Sequence, residues 1–420
     1  MLRSNKKFSL VLSFTPVGLL LCTHSALADQ APPSIAAAPA YTATQTKGIS
    51  FWSNDDTSVA ILGSVRLMAK TDSLHNQEHN IQNNDSRLGF AIRHNIDLNG
   101  NYTIGYYETG IHGLDSASDD QGNDVYTRQA YAGIGNDSYG VITFGKQYAP
   151  TDWGLGIDTT YAYGGKAKHD TTGMSTDIVN SSAIYYYNTP SFTFGLMGQG
   201  NDSVDKIGFG SGYGDGPDMH DAYFDGSADI HGGAALAATY RWNNGISLSG
   251  AAAYNSYSVN SSSSYGTGPF GYVHVTGSTP SYDGNTYSMG MNAKYNTQIG
   301  DHAWYNGVQV TYYINKVDDL KSARKNINTT DDQETILGLE YASQFKITPE
   351  WGIYVNFDWS EGGDAMDNQH FQSTTLGTDY WLGKNAVTYL EYGYEKAYGN
   401  ADNNDNIDDH LAAIGIRIFI

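Results

Sequence analysis

The chain has 420 residues, with 23 Lys+Arg against 44 Asp+Glu for a formal charge of −21; it is rich in Gly (48) and Tyr (33) and holds a single Cys. That acidity sets aside a nucleic-acid partner, and ample aromatics at a charged fraction of only 16% set aside disorder. A negative mean hydropathy excludes a bundle of membrane helices, leaving a secreted β protein or a transmembrane β-barrel, whose lumen-facing half is polar.

Arg3, Lys6 and Lys7 form a basic start, an apolar stretch runs from Phe8 to Cys22, and Ala26-Leu27-Ala28 supplies a small-x-small cleavage pattern. Residues 1–28 therefore read as a secretory signal peptide, with Asp29 as the mature start. Leu19-Leu20-Leu21-Cys22 is close to a lipoprotein box, but Leu21 is too large for the position before the Cys. Cleavage removes the one Cys, so the mature chain needs a source of rigidity other than disulfides, and barrel closure is one. Residues 29–56, with Ala31-Pro32-Pro33 and Ala36-Ala37-Ala38-Pro39, read as a flexible leader. No later segment approaches about 18 consecutive apolar residues, so a transmembrane helix is not expected.

From Thr57 onward the pattern has period 2. In Ser86-Arg87-Leu88-Gly89-Phe90-Ala91-Ile92-Arg93-His94 the bulky residues Leu88, Phe90 and Ile92 alternate with Arg87, Gly89, Ala91 and Arg93, as in a strand with one apolar and one polar face. The run leads to Asn99-Gly100, a type I′ hairpin signal, and a second alternating run begins at Tyr102. This unit recurs. Tight turns fall at residues 99–100, 136–140, 188–190, 243–245, 299–301, 348–350 and 383–385, and long acidic or Gly/Ser-rich loops at 115–124, 202–229, 260–283, 318–332, 361–369 and 399–409. Sixteen candidate strands fit between Thr57 and Ile420. Short turns alternating with long loops are the asymmetry of an outer-membrane barrel. The last strand alternates to its end, with Ile414, Ile416, Ile418 and Ile420 on one face that needs lipid or another subunit. Tyr185-Tyr186-Tyr187 and Tyr389, Tyr392, Tyr394 and Tyr398 lie near strand ends, in belt positions or as ordinary strand aromatics.

Two stretches, Thr127-Arg128-Gln129-Ala130-Tyr131-Ala132-Gly133-Ile134 and Tyr139-Gly140-Val141-Ile142-Thr143-Phe144-Gly145-Lys146-Gln147-Tyr148, together with Ser86-Arg87-Leu88-Gly89-Phe90, resemble the Gram-negative general porins. The resemblance is strong from about Val59 to Gly165 and beyond that rests on strand rhythm and the closing strand. It implies a sixteen-stranded antiparallel transmembrane β-barrel at residues 57–420, a homotrimer in the outer membrane, and a third loop folding inward to narrow the pore. It further implies passage of small hydrophilic solutes, assembly through the C-terminal strand, and contact with lipid and lipopolysaccharide. No cofactor, metal or catalysis is expected. By the same resemblance Arg66, Arg87 and Arg128 form a basic wall, and Asp158 and Tyr163, in the segment after Pro150 that runs to about Ile178, face it from the loop. Arg93 and Lys146 are weaker lumen candidates. The sequence departs from the family where Ala162 takes the place of a loop glutamate, where Lys166 follows Gly164-Gly165, and where Ile420 replaces a terminal Phe.

The residues support the basic wall independently, because Arg facing lipid costs about 2–4 kcal/mol at midplane whereas a wet lumen tolerates it. Three like charges in a narrow ring set a transverse field with the loop acids; alternatively each Arg pins the loop through an ion pair. Two rival classes stay open: a substrate-specific channel, for instance for an oligosaccharide, guided by Trp153, Tyr161 and Tyr163, and a surface barrel acting mainly in adhesion. His75-Asn76-Gln77-Glu78-His79 matches a zinc-hydrolase pattern, but it lies in an Asn-rich connection and not on the helix that chemistry needs. The glycines of 208–216 open no helix after a strand, as a phosphate cradle would require. Asp119-Asp120, Asp331-Asp332, Asp402, Asp405 and Asp408-Asp409 read as a solvated rim, or as holders of cations bridging to lipopolysaccharide.

Overall fold

The computed structural model describes residues 48–72, 81–111, 125–168, 178–207, 224–259, 264–265, 275–276, 282–317, 333–364, 370–398 and 407–420. The signal sequence, the start of the leader, His75 and His79, the glycines of 208–216, and Asp119, Asp120, Asp331, Asp332, Asp402 and Asp405 lie outside them. Sixteen strands form one antiparallel sheet closed on itself. They are β1 (Thr57–Asp72), β2 (Ser86–Asn95), β3 (Asn101–Ile111), β4 (Val125–Asn136), β5 (Gly140–Tyr148), β6 (Ile178–Asn188), β7 (Phe192–Gln199) and β8 (Phe224–Arg241). They continue as β9 (Ile246–Val259), β10 (Tyr282–Ile299), β11 (His302–Val317), β12 (Gln333–Lys346), β13 (Trp351–Asp364), β14 (His370–Trp381), β15 (Ala386–Tyr398) and β16 (Ile407–Phe419). Each pairs with the next, and β1 pairs with β16 from Ser64↔Phe419 to Asp72↔Leu411, which leaves the barrel no open seam there.

The alternation turns large apolar side chains outward. On β2, Leu88, Phe90 and Ile92 are exposed while Ala91 is buried; on β16, Ile414 and Ile418 are exposed while Leu411, Ala413 and Arg417 are buried. This is the inverse of a water-soluble fold and suits a sheet whose outer face meets lipid. Alternation also separates the tyrosines: Tyr185 and Tyr392 point outward, and Tyr186 and Tyr389 are buried inside. Outer-face indoles find partners on neighbouring strands, Trp304 Nε1 donating to Ser343 Oγ (3.0 Å) and Trp351 Nε1 to Thr378 Oγ1 (2.9 Å).

Three details differ from the sequence expectation. The first hairpin is not a two-residue turn at Asn99-Gly100 but a longer loop between Asn95 and Asn101. There Asp97 Oδ1 accepts from the Asn99 and Asn101 amides (2.8 and 3.3 Å), and Gly100 takes the left-handed φ of 82°. Strands also invade the expected loops, since residues 202–207 pair with β8 and β13 continues to Asp364. Finally, Ile49–Ser53, inside the expected leader, forms a short strand on β1 from Ile49↔Ile61 to Ser53↔Ser58. It takes up the edge just where β16 ends, with the Ile420 amide donating to Gly63 O, so that part of β1 is not left with unpaired backbone groups.

Candidate functional site: the charged lumen

The interior carries two regions of charge. The first is built on β1 to β4 and β16. Arg66, Arg87 and Arg128 converge on the single carboxylate of Asp85: Arg66 Nη1 lies 3.7 Å from Oδ2, Arg128 Nε lies 3.5 Å from Oδ1, and Arg87 Nη2 pairs with Oδ2. Arg128 also bonds Glu108 (Nη1 to Oε1, 2.7 Å) and the Tyr148 hydroxyl. Glu108 takes further bonds from Gln129 Nε2 (3.1 Å) and the Tyr106 hydroxyl (2.9 Å). Arg417 on β16 completes the group. It donates to the Tyr161 carbonyl, and its guanidinium carbon lies 4.9 Å from the Tyr161 ring centroid. Three guanidinium groups thus meet two carboxylates, with Arg417 beside them on Tyr161, an excess of positive charge on this wall.

A register change brings Arg128 into the lumen. Glu108 pairs with Gln129 and the next residue, Thr109, with Thr127, so Arg128 is an extra residue in a β-bulge. Strict alternation would send Arg128 and Gln129 to opposite faces; the bulge lets both reach Glu108.

The second region is built on β13 to β15 and grips the segment after β5. That segment opens with a short helix, Pro150–Gly154, and crosses the interior. Its root packs on Ala237 and Ala251, small inward residues of β8 and β9 that leave room for Gly154, with Trp153 beside Tyr186. Wall side chains then hold its backbone in sequence. Asn292 Nδ2 donates to Gly154 O (2.9 Å) and the Tyr305 hydroxyl to Ile157 O (2.8 Å). Glu391 accepts from the Tyr161 and Ala162 amides, the latter at 2.9 Å, and from the Tyr354 hydroxyl (2.9 Å). Asp358 accepts from the Ala167 amide (3.0 Å), and Glu395 pairs with Lys166 (2.8 Å). Asp379 takes the Tyr161 hydroxyl (2.9 Å) and both its oxygens lie 2.8 Å from Lys346 Nζ. Burial and the adjacent Asp379 carboxylate hold the Tyr161 phenol well above its ordinary range, so it stays a donor.

Arg66, Arg87 and Arg128, singled out from the sequence, come together at one level of the lumen. Their partners, however, are wall acids and not loop acids. Asp158 turns into its own loop, accepting from the Thr160 amide (2.8 Å) and hydroxyl (3.1 Å). Burial raises its carboxyl above the usual range, against the lowering effect of those bonds. Tyr163 is buried, its hydroxyl on Ala412 O (3.0 Å). The Gly164-Gly165 pair allows this close folding: Gly165 has the left-handed φ of 76°, and a Cβ on Gly164 would meet Asp158 Oδ1 at 2.4 Å. Arg93 sits at the short-turn rim, paired with Asp137 (2.7 Å) and 3.8 Å from the Tyr102 ring centroid. Lys146 falls in step with the outward residues Ile142 and Phe144. Trp153 packs beside Tyr186 at the loop root, whereas Tyr161 and Tyr163 pack together against β15 and β16, where Tyr161 stacks on Tyr389 (4.7 Å), so the three aromatics form no continuous track.

Sequence reasoning missed Asp85, Glu108, Arg417 and the gripping acids Asp358, Asp379, Glu391 and Glu395. It placed Asp409 on the outer rim, but Asp409 is buried in the inward set of β16 opposite Glu395. Among the described residues no cluster of His, Cys, Asp and Glu could hold a metal ion.

A family profile described as Gram-negative porin matches residues 25–400. The chain is 24% identical over 395 residues to a major outer membrane protein of Pasteurella multocida, covering 91% of this chain and 97% of that one. In fold it is similar to OmpT of Vibrio cholerae in its trimer form (TM-score 0.60, 18% identity, 87% of this chain and 100% of that one). It is also similar to an anion-selective porin from Comamonas acidovorans (TM-score 0.57, 13% identity, 87% and 100%).

Proposed function

Because this chain belongs to the Gram-negative porin family, we propose that its arginine wall sets the ion selectivity of the channel and that the gripped loop sets its width. The protein forms a water-filled channel in the outer membrane for passive diffusion of ions and small hydrophilic solutes. Transport needs no energy source, since a charged, wetted lumen lowers the barrier for polar solutes in both directions. The observation that carries the selectivity reading is the excess of guanidinium groups over carboxylates around Asp85 and Glu108. That local charge favours anions, whereas the overall acidity of the chain belongs largely to residues outside this wall. Replacing Arg87 and Arg128 together by Gln should raise cation selectivity, read as the reversal potential across a salt gradient. An unchanged reversal potential would remove the arginine wall from the selectivity account.

Assembly as a homotrimer belongs to the same reading. Among the described residues, the outward sets of β16, β1 and β2 hold Ile414, Ile418, Val65, Leu88, Phe90 and Ile92 but no Trp or Tyr, whereas Tyr295, Trp304, Trp351 and Tyr380 stand on β10, β11, β13 and β14. Interfacial Trp and Tyr mark the lipid-facing sector. Strands β16, β1 and β2, whose own outward faces carry neither although Trp52 stands on the short strand beside β1, suit contact with other copies of the chain. Export by a signal peptide at residues 1–28, contact with lipopolysaccharide, and recognition of β16 by the assembly machinery complete the proposal.

A further inference from the structure

We infer that Asp85 is the counter-ion that sets the net charge of the arginine wall and so tunes how strongly the channel prefers anions. The inference rests on the porin reading and names a residue that reading does not need.

Asp85 reaches the lumen through a second bulge. Ser64 pairs with Arg87 and Leu67 with Asn83, so two residues of β1 face three of the partner segment, Asn84, Asp85 and Ser86. Asp85 adopts a left-handed φ of 62°; the only other non-glycine with positive φ among the described residues is Ser181. The bulge is fastened to Arg66 from both sides. The Asn84 amide donates to Arg66 O (2.8 Å), the Arg66 amide to Ser86 Oγ (2.9 Å), and the Ser86 amide to Asn83 Oδ1 (3.1 Å). An uncommon backbone conformation held this firmly, next to a functional wall, delivers one carboxylate to three guanidinium groups.

The two acids of this wall differ in role. Glu108 is 5% exposed and already shared among Arg128, Gln129 and Tyr106, so it is part of the packing. The Asp85 side chain is 38% exposed, and its carboxylate meets Arg66, Arg87 and Arg128. It is therefore the carboxylate that a permeating ion meets. Without it, three guanidinium groups would face the water with one unit more of positive charge. At the few-ångström separations of this ring, one unit charge in water changes local ion populations roughly two- to fivefold, and salt screens the effect.

The test is the anion-to-cation permeability ratio of the full-length protein in planar bilayers at low salt. Asp85→Asn keeps the size and tolerates the left-handed backbone while removing the charge; Asp85→Gly removes the charge where that backbone is freely allowed. Both should raise the ratio roughly two- to fivefold, with single-channel conductance retained and the effect shrinking at high salt. The Arg87→Gln/Arg128→Gln variant should move the ratio the opposite way. If that arginine variant shifts the ratio while both Asp85 variants leave it unchanged, Asp85 is only a turn residue and the inference is overturned with the channel reading intact. If none of the variants shifts it, the arginine wall itself fails and Asp85 with it.

Discussion

The two charged regions of the lumen use the same residue types to opposite ends. On β1 to β4 the carboxylates of Asp85 and Glu108 bind arginines of their own wall, and no described loop acid reaches them. On β13 to β15 the carboxylates of Asp358, Asp379, Glu391 and Glu395 reach out to the loop, taking its amides, a phenol and a lysine. One wall keeps its charge for the water path; the other uses its charge to place a chain segment. A buried carboxylate holding two or three donors is costly to remove, whereas a half-wetted ion pair contributes little stability and mainly shapes the potential. On the proposed reading, the acid wall and the buried Glu108 serve stability, and Asp85 with its arginines serves selectivity.

Variants that break the gripping wall should have the largest effect. Glu391→Ala strips the Tyr161 and Ala162 amides and the Tyr354 hydroxyl of their shared acceptor. It should lower the unfolding free energy by about 2–4 kcal/mol and give larger, noisier single-channel currents as the loop leaves the wall, checked by thermal denaturation and bilayer recording. Gly164→Val comes next, because any Cβ there also meets Asn356 Nδ2 at 2.7 Å. Its cost should be about 1–3 kcal/mol, with conductance displaced in the same direction. Tyr161→Phe removes one bond to Asp379, whose charge Lys346 still balances, so about 0.5–1.5 kcal/mol and a nearly normal conductance are expected. The smallest effect belongs to Arg93→Gln at the rim, where an exposed pair with Asp137 should leave both melting temperature and reversal potential close to those of the parent. A large selectivity change in this last variant would blur the distinction between wall and rim.

Much of this was legible in the residues, and the rest for identifiable reasons was not. The barrel showed through because bulky apolar residues recur at every second position over strands with almost no helical competition. The gripping acids and Arg417 were legible in principle: Asp358 stands between Phe357 and Trp359, Glu391 between Leu390 and Tyr392, and Arg417 between Ile416 and Ile418. A charge flanked by two outward apolar residues has to face the lumen, a signal carried by the wall strands and not by the loop's own acids. Asp85 and the bulge that carries Arg128 into the lumen were hidden more deeply. Both involve bulges, which shift register by one residue and defeat a period-2 reading. The strand at Ile49–Ser53 was masked by its Ala/Pro-rich surroundings, although Ile49, Phe51 and Trp52 carry strand-forming side chains.

The central claim is that the lumen is an open, wetted path whose charge is set by one wall. Recording the purified protein in a planar bilayer, with single-channel conductance and reversal potential measured with and without sugars, tests it most directly. An ohmic current that enters in steps of three, prefers anions and is not blocked by sugars is the predicted result. Absence of current would contradict the channel, and block at micromolar sugar would replace general diffusion with a specific site.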